Sequence, residues 1–287
     1  MLSFTRFSNQ KYNEYLIIAH GLFGSKKNWT NTAKFLSENL NLEVIVVDLR
    51  NHGSSFWSDN HDYLSMARDL IELCKNFSKK VTILGHSMGG KAAMYACLSY
   101  PEIFDKLIVV DISPVNYLNS EFVNYIEILQ KIDLTKIQSR KDADLELESK
   151  IVDKNIRSFL LQNLFRENEN NYSWKVNLEA LKKNIHHIMS FPTIQNRFLG
   201  KTLFIKGENS NYINVYHHPE IKKFFRLNNL FRSAHSLKGI AGMFGLEEVA
   251  GLAHDMENVL EGMRGWRERD IHRVTSPEVP RHLCIIP

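Results

Sequence analysis

The chain has few cysteines and no long apolar run, and each shortage excludes a class of protein. Cys74, Cys97 and Cys284 are odd in number and widely spaced. That spacing argues against a disulfide framework or a cysteine-ligated metal, and it favours a reducing compartment. No apolar run approaches the roughly 20 residues that span a bilayer, and no secretory leader pattern opens the sequence. We therefore expect a cytoplasmic protein that neither crosses a membrane nor binds a metal or cofactor.

The chain also has little excess charge of either sign. The net charge is only +4, with no basic cluster, which argues against a nucleic-acid partner. The composition is 44% hydrophobic and 24% charged over 287 residues, ordinary values for a soluble protein with a sizeable core. This length accommodates one large domain or two of unequal size.

Strand and helix patterns alternate between residues 15 and 112, which predicts an α/β fold with a mostly parallel sheet covered by helices on both faces. The predicted strands are Tyr15–Ala19, Glu43–Asp48, a run from Val81 and Leu107–Ile112, and the predicted helices are Trp29–Asn39, Ser65–Asn76 and Lys91–Leu98. Residues 114–199 show long helical patterns and no strand, which predicts a helical lid over the strand ends. A strand at Lys201–Gly207 and a helix at His218–Phe225 follow.

The composition changes near residue 226. Residues 1–225 contain 21 Lys and 7 Arg, whereas residues 226–287 contain 1 Lys and 7 Arg. Since no linker marks the change, we interpret it as a junction between two segments. The predicted domains are a hydrolase-like domain at 1–225, a helical hairpin at 226–264 and a disordered tail at 265–287.

The motif Gly85-x-Ser87-x-Gly89 follows an apolar strand and precedes a helix. This combination is typical of a nucleophile elbow, a turn so tight that glycine is needed on both sides of the serine. The turn lifts the serine hydroxyl above the sheet and directs it to the N-terminus of the next helix. Backbone N–H groups there favour developing negative charge. Ser87 is the predicted nucleophile.

These segments together resemble the α/β-hydrolases, and in particular the small branch of acyl esterases. The resemblance covers about residues 14–225 and rests on His20–Ser25, Asp48–Ser54, Gly85–Lys91, Asp105–Tyr117, Phe159–Leu164 and Leu203–Ser210. It implies an ester hydrolase acting on a small acyl ester. The turn after His20-Gly21 would supply the oxyanion hole through the amide of Leu22 or Phe23, together with that of Met88.

The other two members of the catalytic triad are harder to assign: the acid has two candidates, and no base is recognisable. By the resemblance Asp111, which ends the strand after the elbow helix, is the favoured acid, and Glu208 is the alternative. The base should be a Gly-His in a loop after a final strand, but the chain reads as a helix through Arg226–Gly239. We therefore predict that the last strand, the catalytic histidine and the last helix are missing. Turnover should be impaired, because losing the base alone costs about a million-fold in the chemical step.

A second resemblance begins there. Leu230–Gly245 and Leu252–Leu260 resemble the histidine-phosphotransfer module of chemotaxis-type sensor kinases, over about residues 227–264. The resemblance implies that His235 accepts a phosphoryl group, supported by Lys238, Gly239, His254 and Glu257. A kinase or receiver domain would be the partner. Because only two helices of such a bundle are recognisable, the hairpin could dock on the hydrolase or form a homodimer.

Three functions therefore remain open from the sequence. The chain is an ester hydrolase with an incomplete triad, or a phosphorelay protein that uses His235, or an inactive chimera of two truncated domains. His235 as the base of the triad is a further, less favoured alternative, because its surroundings read as a helix. The chimera predicts a broad melting transition and aggregation, because the sheet would have an uncovered edge.

Overall fold

The computed structural model describes residues 1–8, 12, 14–40, 42–118, 121–168, 171–207 and 210–234, with the backbone alone for 227–234. The strands in this part are β1 (Phe4–Phe7), β2 (Glu14–Ala19), β3 (Leu42–Val47), β4 (Val81–His86), β5 (Phe104–Val110), β6 (Leu164–Arg166), β7 (Tyr172–Trp174), β8 (Phe198–Gly207) and β9 (Phe225–Ala234). Seven of them form one sheet in the order β1-β3-β2-β4-β5-β8-β9. Apart from antiparallel β1, the neighbouring strands in this sheet are parallel.

Helices connect the parallel strands, as the alternating pattern predicts. They are α1 (Thr30–Asn39), α2 (Tyr63–Cys74), α3 (Met88–Ser99), α4 (Phe122–Gln130), α5 (Arg140–Glu148), α6 (Lys154–Leu161), α7 (Leu178–Met189) and α8 (His218–Phe224). Short 3-10 turns lie at Lys26–Trp29, Leu134–Lys136 and Val215–His217. No helix among the residues with described positions is both long and apolar enough to cross a bilayer.

The core occupies both faces of the sheet. Successive residues of β2 alternate, so that Leu16 and Ile18 face one hydrophobic cluster and Ile17 and Ala19 face the other. All six residues of β3 are buried. This double burial explains why the central strands are continuous apolar runs. The predicted α/β class and the mostly parallel sheet are therefore confirmed.

The predicted loss of the last strand is wrong. Residues Phe225–Ala234 form β9, which pairs in parallel with β8 from Phe198↔Phe225 to Gly207↔Ala234. The strand begins within the helix predicted at His218–Phe225 and crosses the predicted boundary at residue 226. Without β9, the backbone groups along the outer side of β8 would be left unpaired. Pairing with that edge outweighs the local helical pattern.

The lid also differs from its prediction, because it contains two strands, and β8 begins at Phe198 within the predicted range. The sequence predicts no strand in residues 114–199, but β6 and β7 pair as an antiparallel hairpin, from Leu164↔Trp174 to Arg166↔Tyr172. The hairpin is only three residues per strand, which is too short to show an alternating pattern in the sequence. The predicted helical hairpin beyond Ala234 and the predicted tail at 265–287 lie outside the described residues.

Candidate active site

Ser87 lies in a strained turn between β4 and α3. Its φ is 50° and its ψ is −117°, and its amide donates to Val110 O at 3.0 Å. A side chain on Gly89 would come within 2.5 Å of the carbonyl oxygens of Ala19 and His20. That close approach of backbone to backbone accounts for the glycine beside the serine. The geometry is that of a nucleophile elbow, with Ser87 partly exposed.

Asp111 lies directly after β5 and is held against the end of β8. Its φ is 54°, its amide donates to Ile205 O at 2.8 Å, and its Oδ1 accepts from the Gly207 amide at 3.1 Å. Strong backbone anchoring and a left-handed φ fix the carboxylate at the carboxyl edge of the sheet, where Ser87 also lies. The alternative acid, Glu208, lies outside the described residues.

A cavity of about 250 Å³ opens above Ser87 and Asp111. The sheet side contributes the turn after β2 and His86, and the lid contributes Phe122 of α4 and Phe159 of α6. The full lining is His20, Gly21, Leu22, Gly24, Asn28, Trp29, His86, Ser87, Asp111, Phe122, Phe159 and Tyr212. An apolar cavity with a few convergent polar groups is typical of a small-molecule site.

The predicted oxyanion turn abuts the nucleophile. The Gly24 amide donates to Gly21 O at 2.9 Å, which closes a four-residue turn, and a side chain on Gly21 would lie 3.3 Å from Ser87 Cβ. Phe23 has a φ of 60° and donates its amide to His52 Nε2 at 3.3 Å. Since this bond engages Phe23, Leu22 is the better candidate of the two predicted donors, with Met88 at the first turn of α3.

Three buried histidines form hydrogen bonds with residues around the oxyanion turn and the elbow. His20 donates from Nδ1 to Gly21 O at 2.8 Å and accepts from the Leu49 amide at Nε2. His52 donates from Nδ1 to Arg50 O at 3.0 Å. His61 accepts from Asn51 Nδ2 at Nδ1 and donates from Nε2 to Met88 Sδ at 3.3 Å. In these three rings both nitrogens are engaged, as neutral imidazoles require.

Burial keeps these rings neutral. It lowers the pKa of His20 and lowers that of His52 well below its usual value, where neighbouring histidines add to the effect. Burial, with the positive charge of Arg50, lowers the pKa of His61 to about 3. The sequence placed His20 directly before the turn that is predicted to supply the oxyanion hole. It gave no role to His52 or His61, although His52 falls within the Asp48–Ser54 motif.

His86 is the histidine next to the nucleophile. Burial lowers its pKa to about 4, although the carboxylate of Asp111 opposes that shift. His217, at the end of the last 3-10 turn, contacts Ser113 Oγ through Nδ1 and Asn214 through Nε2. Among residues 1–234 as described, no histidine nitrogen forms a hydrogen bond with Ser87 Oγ. The same residues contain no cluster of His, Cys, Asp or Glu suited to a metal ion.

The predicted phosphotransfer residues His235, Lys238, Gly239, His254 and Glu257 lie outside the described residues. The description ends one residue before His235, at the carboxyl end of β9. Residues 230–234, which the phosphotransfer motif places on a helix, are strand here. That part of the helical prediction is therefore wrong.

Fold and site together define a serine-type α/β hydrolase, and comparison with known proteins agrees. The family model described as the alpha/beta hydrolase fold matches residues 14–237, so the chain belongs to that family. A second model, described as the Hpt domain, matches residues 220–276 and overlaps the first.

Three known proteins show which kinds of hydrolase this chain is similar to. The chain is 38% identical over 216 residues to the sn-1-specific diacylglycerol lipase ABHD11 of Mus musculus, covering 73% of this chain and 70% of that protein. It is 34% identical over 235 residues to the Xenopus laevis protein of the same name, with 80% and 75% covered. Among solved structures it resembles a marine microorganism esterase, with 39% identity, a TM-score of 0.73, and 79% and 89% of the two chains covered. These are esterase- and lipase-type hydrolases.

Proposed function

We propose that the protein is a carboxylic-ester hydrolase that uses Ser87 as its nucleophile. The observation that carries this is the left-handed Ser87 turn, which opens on the same cavity as the Asp111 carboxylate and the Leu22 turn. A serine in such a turn is presented to substrate rather than packed into the core. The resemblance to esterase- and lipase-type relatives supports the same reaction class.

The reaction follows from this arrangement. Ser87 Oγ bonds to the ester carbonyl carbon and gives up its proton, and the carbonyl electron pair moves onto the oxygen. The amides of Leu22 and Met88 stabilise that oxyanion. Collapse breaks the carbon–oxygen bond to the alcohol, which leaves with a proton. Water then adds to the acyl-enzyme, which releases the acid and restores the Ser87 hydroxyl.

The proton of Ser87 needs a base, and the described residues offer only weak ones. His20, His52 and His61 have both nitrogens engaged, and His86 has a pKa of about 4. A general base works best when its pKa is close to the working pH. We therefore propose that turnover is impaired. His235 is the residue whose place in the chain offers an alternative, because it follows Ala234, the register partner of Gly207, whose amide binds Asp111.

The substrate is an uncharged acyl ester. Leu22, Trp29, Phe122 and Phe159 line the cavity, so an acyl chain rather than a charged group fits beside Ser87. The two relatives named as diacylglycerol lipases make a diacylglycerol the natural second substrate to test, beside a short acyl ester.

Hydrolysis of p-nitrophenyl butyrate and of a diacylglycerol tests the proposal. We expect slow turnover that is lost in Ser87→Ala and changes by less than about threefold in His235→Gln. Hydrolysis that is independent of Ser87 would overturn the proposed function. A loss of about a hundredfold or more in His235→Gln would instead show that His235 completes the triad, and it would overturn the impairment alone.

Phosphotransfer on His235 is a second candidate, favoured by the Hpt model match over residues 220–276. This function requires a helix through residues that β9 now occupies, so it requires a rearrangement at 230–234. Incubation with phosphoramidate should then give an acid-labile phosphohistidine that is lost in His235→Gln. Phosphate uptake that persists in His235→Gln would eliminate this candidate.

A further inference from the structure

The peptide groups on both sides of Phe23 are held by two side chains from different parts of the fold. His52 Nε2 accepts from the Phe23 amide at 3.3 Å. On the other side, Asn163 Nδ2 donates to Phe23 O at 2.8 Å. His52 is fully buried and Asn163 is 4% exposed. Neither bond is therefore weakened by competition with water, as exposed bonds are.

The two residues that bond to Phe23 are in turn held by the backbone of the lid. Asn163 lies between α6 and β6, and its carbonyl accepts from the Lys175 amide at 2.8 Å. His52 forms a β-bridge with Val176, and its neighbour Asn51 accepts from the Asn177 amide at 2.9 Å. The lid segments around residue 163 and residues 175–177 therefore fix the two groups that hold Phe23.

Phe23 needs such support because its φ of 60° is costly for a residue with a side chain. The turn Gly21–Gly24 has this positive φ at its third position, where glycine or asparagine is normally found. If φ relaxed to negative values, the Leu22–Phe23 peptide plane would rotate and the turn would change type. That rotation would move the backbone of Leu22, whose amide faces the nucleophile in the proposed function.

We propose that Asn163 and His52 are positioning residues that lock the Phe23 peptide and thereby hold the Leu22 amide in place to stabilise the oxyanion. The lid is then a required part of the oxyanion hole and not only a cover over the cavity. This inference rests on the proposed function, because it assigns a task to residues that do not touch the substrate.

Phosphonylation of Ser87 by a fluorophosphonate tests the inference, because its transition state places negative charge in the same hole. The inactivation is resolved into kinact and KI for the full chain and for Asn163→Ala, His52→Phe and His52→Gln. We expect kinact to fall about tenfold or more in Asn163→Ala and His52→Phe, with KI within about twofold. His52→Gln should recover most of the rate, since its amide oxygen can accept from Phe23.

Gln130→Ala is the matched control, because Gln130 also makes a hydrogen bond within the lid, to Glu179 at an exposed site, and neither residue lines the cavity. It should leave kinact unchanged. Equal kinact in the control, Asn163→Ala and His52→Phe, with Ser87 phosphonylated in each, would overturn the inference alone. Absence of phosphonylation in the unsubstituted protein would overturn the proposed function and the inference together. If His52→Phe does not fold, Asn163→Ala and Gln130→Ala decide the question.

Discussion

Buried histidines set the chemistry of the region behind the nucleophile. His20 and His52 have ring centroids 5.1 Å apart, and His52 and His61 have centroids 5.6 Å apart. A proton on any one of these rings would be buried close to another ring and would break a hydrogen bond that requires a neutral nitrogen. The oxyanion turn therefore depends on three imidazoles that stay neutral.

His61 makes this dependence measurable through the pH dependence of stability. Its pKa is about 3 in the fold and 6.5 when unperturbed, so the unfolded chain binds the proton more readily. Stability is therefore present above pH 6.5 and is lost as pH falls below it. Between pH 7.5 and 5.0, His61 should account for a loss of about 2 kcal/mol in the free energy of unfolding.

Urea unfolding of the unsubstituted protein and of His61→Gln at both pH values measures this contribution. The variant should lose about 2 kcal/mol less than the unsubstituted protein over the same pH change. Equal losses would show that His61 is not held neutral by burial.

The residues of the site differ in whether a short stretch of sequence is enough to predict them. Ser87 is recognisable because the elbow needs strand, glycine and helix within ten residues, and Asp111 follows the next strand and lines the same cavity. Asn163 is separated from Phe23 by 140 positions. Its contact depends on how the lid packs, which no local pattern encodes.

At the scale of elements, β9 shows how a partner can outweigh a local pattern. The segment from Arg226 reads as a helix on its own, but the exposed edge of β8 offers a row of unpaired backbone groups. The sequence predicts β2 to β5 because their apolar runs are long and bounded by turns. It missed β9 because the pairing edge lies outside the segment itself.

Engineered cysteines test β9 directly. Lys206 and Ser233 are register partners in parallel strands, and the spacing of neighbouring strands suits a disulfide. Lys206→Cys with Ser233→Cys should oxidise to an intramolecular disulfide, seen as a cross-linked peptide by mass spectrometry. Lys206→Cys with Asn229→Cys is the control, because these positions are out of register. Equal cross-linking in both pairs, or none in either, would contradict the strand.

Lys91 joins the elbow helix to both ends of the lid. It is 1% exposed and donates from Nζ to the carbonyls of Val115, Met189 and Ser190, at 2.8, 3.1 and 2.7 Å. Lys91→Met should lower the free energy of unfolding by about 3 kcal/mol, because it leaves three partly buried carbonyls without a donor.

The control for Lys91 is Lys182→Met on α7, which removes a half-exposed ion pair with Glu127. It should cost less than about 1 kcal/mol. Denaturant unfolding compares the two variants, and a Lys91→Met loss no larger than the control would show that Lys91 does not hold the lid.

In the molecule as a whole, the residues of the candidate site lie at one edge of the sheet. The turn after β2, the elbow after β4, Asp111 after β5 and the end of β8 all lie at the carboxyl ends of parallel strands. Ligands of open α/β sheets generally bind at the carboxyl ends of the strands, and the candidate site lies there. β9 pairs with the edge of β8 that the chimera hypothesis left uncovered.

Intact-protein and peptide mass spectrometry after exposure to a fluorophosphonate tests the central claim most directly. Ser87 is predicted to carry a single phosphonyl adduct that is absent from Ser87→Ala and from heat-unfolded protein. A folded protein that carries no adduct on Ser87, or that is modified equally in Ser87→Ala, would contradict the account of Ser87 as the nucleophile.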